Sequence, residues 1–242
     1  MIAANVRAAL GAADVQLATT LLATREDERR AIAERVNAEG PDALWDDPRL
    51  LDALVACRDL TAPPATLLMY VALRRTLLEL GIDDRDVTDY CASMLLAFGK
   101  SDRAWRVSEH DENRYGYLVD LAAEAERNDG ERGFQIRVHM GNFALWLTGI
   151  FPDYIAARRS RKGGPDLPYY EAMGRSGYLS ASDHRLAGRL GLGGVLRSAG
   201  ERFSELRVAM NRISDRLMFP AHVSADRLLR QVEDDFNYGP AH

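Results

Sequence analysis

The stretch HMGNFALWLTGIFPDYIAARRSRKGG, residues 139–164, decides how this chain folds. Its first half carries hardly a polar side chain, and its second half ends in the cations Arg158, Arg159, Arg161 and Lys162. The nearly apolar run from Phe143 to Phe151 is far shorter than the ~20 residues that span a bilayer. It therefore reads as the middle of a core helix. Extended upstream, the helix runs from about Glu131 to Gly149. Ile136, Met140, Phe143, Leu147 and Ile150 line one face, and Phe134, Val138 and Leu145 cover another. A helix that is apolar nearly all round is a buried helix.

One stripe of that helix is different. Arg132, Gln135, His139, Asn142 and Trp146 follow one another at steps of three and four residues, so they share a face. A buried polar group without a partner costs about 1–3 kcal/mol. The stripe must therefore either meet side chains from neighbouring helices or line a wet cavity that takes a ligand. Candidate partners lie in PYYEAMGRSGY, residues 168–178: Tyr169, Tyr170, Glu171 and Arg175. A short loop joins this segment to the central helix, so the two can fold back on each other. Gly174 and Gly177 would let them approach closely.

The rest of the chain repeats the helical pattern. Thr24-Arg25-Glu26-Asp27 opens a polar helix that Gly40-Pro41 ends. Asp47-Pro48 opens one that runs to about Arg58. Pro63-Pro64 starts another, closed by Gly81, and Asp83 or Asp84 caps a helix through Val87, Tyr90, Cys91, Met94, Leu95 and Phe98. A further helix is expected from about Glu112, with Tyr115, Leu118, Val119 and Ala122 on one side. The loop RKGGPDLP precedes a helix from about Tyr169 to Leu179. Phe203, Leu206, Met210, Ile213 and Leu217 mark another, stopped by Pro220. Ser224 caps a last helix that contains Leu228, Leu229, Val232 and Phe236. Alternating strand patterns and long linkers are missing. The expectation is an all-α fold of about ten helices, one multi-helix domain over residues 1–242, packed around the central apolar helix.

Composition narrows the function classes. Hydrophobic residues make up 47% of 242, enough for a sizeable core. The net charge of −5 argues against nucleic acid as a partner. Neither a secretory leader nor a membrane span is visible, which points to the cytoplasm. Cys57 and Cys91 lie in helical patterns beside apolar neighbours and read as buried thiols.

Motifs with chemistry are few. No histidine has Glu three residues before it, and no paired-histidine helix motif occurs, so neither a metal nor another cofactor is expected. Glu109-His110-Asp111-Glu112 brings ligand types together, but adjacent residues on a helix point about 100° apart. The glycine-rich GRLGLGGVLRSAG, residues 188–200, follows a helical segment rather than a strand and reads as a loop. Ser176, between glycines in MGRSGY, lacks the strand-to-helix turn of a nucleophile elbow. The cations at 158–162 suit a helix C-terminus and could also hold an anion.

Two segments, Gly141-Asn142-Phe143 through Leu147-Thr148-Gly149-Ile150-Phe151-Pro152-Asp153 and Tyr169-Tyr170-Glu171 through Met173-Gly174-Arg175-Ser176-Gly177-Tyr178, resemble a family of bacterial helical proteins with no assigned activity. The resemblance covers about forty residues closely. It implies a bacterial origin and a helical fold and brings no catalytic residue.

Two readings of function follow. The first is a non-enzymatic protein that acts through a protein partner or by self-association. The second is a site for an anionic metabolite between the helices near 132–150 and 169–179. There His139 would transfer a proton or donate a hydrogen bond, Asn142 would orient the ligand, Tyr170 would donate or stack, and Trp146 would belong to the same site. Arg158 or Arg175 would hold a carboxylate or phosphate. A weaker third reading makes His139 the ligand of a tetrapyrrole or metal.

Overall fold

The computed structural model describes residues 2, 4–57, 63–100, 102–109 and 111–239. Among these the chain is helical with no strand, and fifteen α-helices are formed. The count exceeds ten because short helices fill segments that read as loops. The described residues fall into two compact units, Ala3–Leu96 and Met1–Ile2 with Ala97–His242.

The first unit holds α1 (Val6–Ala9), α2 (Ala12–Leu22), α3 (Glu26–Glu39), α4 (Asp42–Trp45), α5 (Leu50–Cys57), α6 (Ala65–Glu79) and most of α7 (Arg85–Phe98). Several of the stop and start signals act as the sequence implies, while the box at the start of α3 is closed by Glu28, which accepts the Thr24 and Arg25 amides, and not by Asp27. Gly40 and Gly81 end α3 and α6 with φ of 82° and 73°, and Asp84 accepts the Val87 amide at 3.0 Å at the start of α7. The expected end of α5 at Arg58 lies outside the described residues. Leu44, Leu54, Leu67, Tyr70, Leu73 and Tyr90 fill the core. Arg74 is buried there at 1% exposure and pairs with Asp46 at 2.7 Å and with Asp83. Cys91 is buried, which pushes its thiol up to about 12, while Cys57 is only half-buried.

The second unit contains a 3₁₀ turn at Arg103–Trp105, then α8 (Leu118–Glu126), α9 (Glu131–Ile150), α10 (Pro152–Lys162) and α11 (Leu167–Ser182). It continues with α12 (Arg185–Arg189), α13 (Gly193–Glu201), α14 (Phe203–Ile213), a π turn at Ser214–Met218 and α15 (Ala225–Tyr238). The central helix is α9, which packs against α8, α10, α11 and α14. At 1.5 Å rise per residue its 20 residues are about 30 Å long.

Several boundaries differ from the sequence reading: α5 starts at Leu50, α11 runs from Leu167 to Ser182, α14 gives way to a π turn after Ile213, and two segments differ more widely. The helix expected from Glu112 begins at Leu118, because the Tyr115 amide donates to the Trp105 carbonyl at 2.8 Å and holds the chain before it in a loop. Leu118, Leu121 and Ala125 face inward, while Val119 is exposed. The glycine-rich 188–200 is mostly helical. Only 190–192 breaks, at Gly191 with φ of 68°, and Gly200 is buried against Leu179.

Glycines set the α9–α11 crossing. A Cβ on Gly174 would lie 2.5 Å from the Phe203 ring and 2.7 Å from Ala144. On Gly177 it would lie 2.8 Å from the Arg137 carbonyl oxygen, and on Gly141 2.5 Å from the Tyr178 ring. The close approach expected from Gly174 and Gly177 is therefore present. It fills the space between the helices with ring and backbone atoms.

Candidate functional site

The polar stripe of α9 is enclosed and largely answered by protein atoms. Asn142 is buried, and its Oδ1 accepts from the Tyr178 hydroxyl at 2.8 Å. Tyr178 sits two turns beyond Tyr170 on the same face of α11. Tyr170 is buried too, with its ring edge-on to Tyr169. Arg132 meets Asp111 at 2.8 Å and Glu124 at 3.1 Å. Gln135 donates to Glu131 near the surface. Trp146 is half-buried in an aromatic row with Phe98, Trp105, Phe143 and Phe151 at centroid distances of 5.1–6.0 Å.

His139 is the exception. It is 3% exposed, lies against the rings of Phe98 and Phe143, and its Nε2 has no hydrogen-bond partner. Burial, with a contribution from the Arg103 charge, pushes its pKa down to about 3. The imidazole is neutral at physiological pH and makes a poor proton donor. The unfolded chain binds a proton here below about pH 6.5 and the folded chain does not until about pH 3. The stability tied to neutral His139 is thus complete above pH ~6.5 and is lost as pH falls through this window, by about 1.4 kcal/mol per unit. Denaturant unfolding at pH 7 and pH 4.5 should show about 3 kcal/mol of this loss, and His139→Phe should lack it. An equal pH dependence in both proteins would refute the assignment.

The C-terminus of α9 is capped from α14 and the π turn after it, by residues that periodicity could not single out. Asn211 Nδ2 donates to the Thr148 and Gly149 carbonyls at 2.8 and 2.7 Å, and Ser214 Oγ donates to the Ile150 carbonyl at 2.8 Å. These are carbonyls that a helix end leaves without partners. Asn211 is held in turn by Arg207, which donates to it at 2.8 Å and to Asp234 of α15 at 2.9 Å.

Arg158 and Arg175, the two anion-binding candidates, lie apart from His139. Arg175 is exposed and donates to the Glu201 carbonyl at 3.0 Å. Arg158 sits on α10 with its guanidinium 4.7 Å from the Tyr117 ring centroid. With Trp105, Gly116, Tyr117, Tyr154, Ala157, Arg161 and Lys162 it lines a cleft of about 460 Å³. No three His, Cys, Asp or Glu side chains form a metal-holding group among the described residues. His110 of the 109–112 cluster lies outside them.

Helix α15 is built inside out. Ser224 caps it, accepting the Arg227 amide at 3.1 Å. Its inner face is polar. Arg227 is 4% exposed and pairs with Asp215 at 3.0 Å, Arg230 pairs with Asp215 at 2.9 Å, and Asp234 pairs with Arg207. Its outer face carries Leu228, Leu229, Val232 and Phe236, the last 89% exposed. A groove of about 470 Å³ runs beside it, lined by Ile155, Leu167, Leu229, Arg159, Asp226 and Glu233 among others. No helix among the described residues is long and apolar enough to cross a membrane.

Compared with known protein families, with characterised proteins and with solved structures, the chain matches none. The resemblance at 141–153 and 169–178 rests on those residues alone.

Proposed function

We propose that this chain is a protein-binding module whose docking element is α15, and that its partner is an amphipathic helix with basic flanks. The observation that carries the reading is the inverted helix: charges face the protein and Leu228, Leu229, Val232 and Phe236 face outward. Apolar residues scattered singly on a surface need no explanation, but a contiguous stripe marks an interaction site. Ala225, Leu229, Val232 and Phe236 follow at steps of four, three and four, the spacing at which two helices interlock. Burying Phe236 alone would contribute about 2 kcal/mol.

Charge selects the occupant. The exposed acids bordering the stripe on α15 are Asp226 and Glu233, with Asp235 paired to Arg212 at 3.1 Å. Two copies packed through α15 would set like charges against each other, whereas lysine and arginine flanks on a partner helix complement them. The same acidic rim is the wrong sign for anionic lipid headgroups. This reading makes the protein non-enzymatic in its main role.

The test uses two designed helical peptides with identical leucine stripes, one flanked by lysine and one by glutamate. The lysine peptide should bind at micromolar concentration and at least about 10-fold more tightly than the glutamate peptide at low salt. Phe236→Asp should weaken binding by about 10-fold or more with an unchanged melting temperature, since the side chain touches solvent. Equal affinity for the two peptides, or none for either, would overturn the proposal. A dimer in light scattering that Phe236→Asp dissociates would replace it with a second copy as the occupant.

A further inference from the structure

A second site is carried by the cleft between α10 and the loop that holds Trp105 and Tyr117, independently of α15. Tyr154, Ala157, Arg158, Arg161 and Lys162 stand at i, i+3, i+4, i+7 and i+8, so one face of α10 turns into it. Three cations and three aromatic rings line it, and no carboxylate does. Two other clefts differ in this respect. Asp153, Asp226 and Glu233 line the one beside α15, and Asp102 and Glu109 line the one at Ala97–Glu109.

Other cations of this unit are answered by acids. Arg132, Arg207, Arg227 and Arg230 each meet a carboxylate. Among the described residues Arg158, Arg161 and Lys162 form no ion pair. A helix C-terminus favours cations, which explains why such residues are tolerated at 158–162. It does not explain why Arg158 lies half-buried over the Tyr117 ring, a cation–π contact that holds its guanidinium in place. An oriented guanidinium suits a phosphate, which it grips with two hydrogen bonds, and two further cations suit a dianion. Trp105 is held from behind by Phe143 and Trp146, at 5.4 and 6.0 Å, so its ring is a fixed wall.

We propose that this cleft binds a small molecule that carries both a phosphate and a planar aromatic ring, the class of nucleoside monophosphates and phosphorylated pyridines. The cations take the phosphate, and Trp105, Tyr117 and Tyr154 offer faces for the ring. The volume of about 460 Å³ is in the range of small-ligand sites. The net charge of −5 disfavours a nucleic-acid polymer as the source of the same chemistry.

Calorimetric titration of the whole protein with AMP, UMP and pyridoxine 5′-phosphate tests this, with inorganic phosphate, adenosine and an oligouridylate as the other arms. At least one ring phosphate should bind 10-fold or more tightly than inorganic phosphate and than adenosine. Arg158→Gln, and separately the exposed pair Arg161→Gln and Lys162→Gln, should each weaken it about 10-fold at unchanged melting temperature. Affinity equal to that of inorganic phosphate overturns the ring requirement. Absence of binding by all three, or binding indifferent to these variants, overturns the site. An oligouridylate that binds far more tightly than UMP overturns the small-molecule assignment. None of these outcomes bears on the α15 peptides.

Discussion

An Arg207→Ala variant is expected to lose about 3–5 kcal/mol of folding stability, the largest effect of any single substitution considered. The guanidinium is buried, and its Nε and both terminal nitrogens are occupied by Glu171, Asn211 and Asp234. Burial alone would disfavour its charge, but Asp234 and Glu171 outweigh that and raise its pKa above the usual arginine value. Truncation leaves Asp234, itself buried, without its main counter-charge. It also frees Asn211, which holds the Thr148 and Gly149 carbonyls at the end of α9. One substitution thus loosens the central helix and the anchor of α15 together. Denaturant unfolding measures the loss, and faster amide exchange in α15 should accompany it. Arg207→Lys should recover only part of the stability, because one ammonium cannot reach three partners with a planar fork. A loss below about 1 kcal/mol would show that solvent replaces the network, contrary to its burial.

Gly177→Ala is expected to cost about 3 kcal/mol, although alanine is worth up to about 1 kcal/mol more than glycine in a helix interior. The added methyl would lie 2.8 Å from the Arg137 carbonyl oxygen and 3.0 Å from the Gly141 amide nitrogen. Both are backbone atoms of α9, so the strain is relieved only by moving one helix off the other. In a protein of this size the melting temperature should fall by roughly 5–10 °C. Gly188→Ala is the control. Nothing lies within 4 Å of its Cβ position and its φ is not positive, so it should be neutral or slightly stabilising. Equal effects at the two positions would mean that α9 and α11 are not held at this distance.

The periodic apolar residues made α9 legible, and the burial of Phe134, Ile136, Phe143 and Leu145 follows from their arrangement around it. Local capping chemistry was legible too. Asp84, Ser224, Gly40 and Gly81 act through bonds or dihedrals within a few residues of themselves. The start of α8 was not, because the Trp105 carbonyl that arrests Tyr115 is ten positions away in sequence. Nor was the partner of Asn142, since Tyr170 and Tyr178 share a face of α11 and only the helix crossing brings the second hydroxyl to the amide. Of the site candidates, Asn142 joins Tyr178, while His139 and Trp146 join aromatic rings. Arg158 lines a cleft with Trp105 and Tyr117, two residues that carried no functional signal in sequence.

What the sequence by itself determined is the helical class, the buried axis at 131–150 and the turns that punctuate the chain. These depend on period and on the conformational preferences of single residues, which act over one or two turns of chain. Tertiary structure decided which face of α15 looks inward. The amphipathic pattern of α15 alone would turn Leu229, Val232 and Phe236 to the core. Buried arginines and aspartates on α14, the π turn and α15 turned it around, because an ion pair between distant segments forms only once the chain has folded. The acid-free cleft likewise exists only where α10 meets a loop about forty residues earlier in the chain.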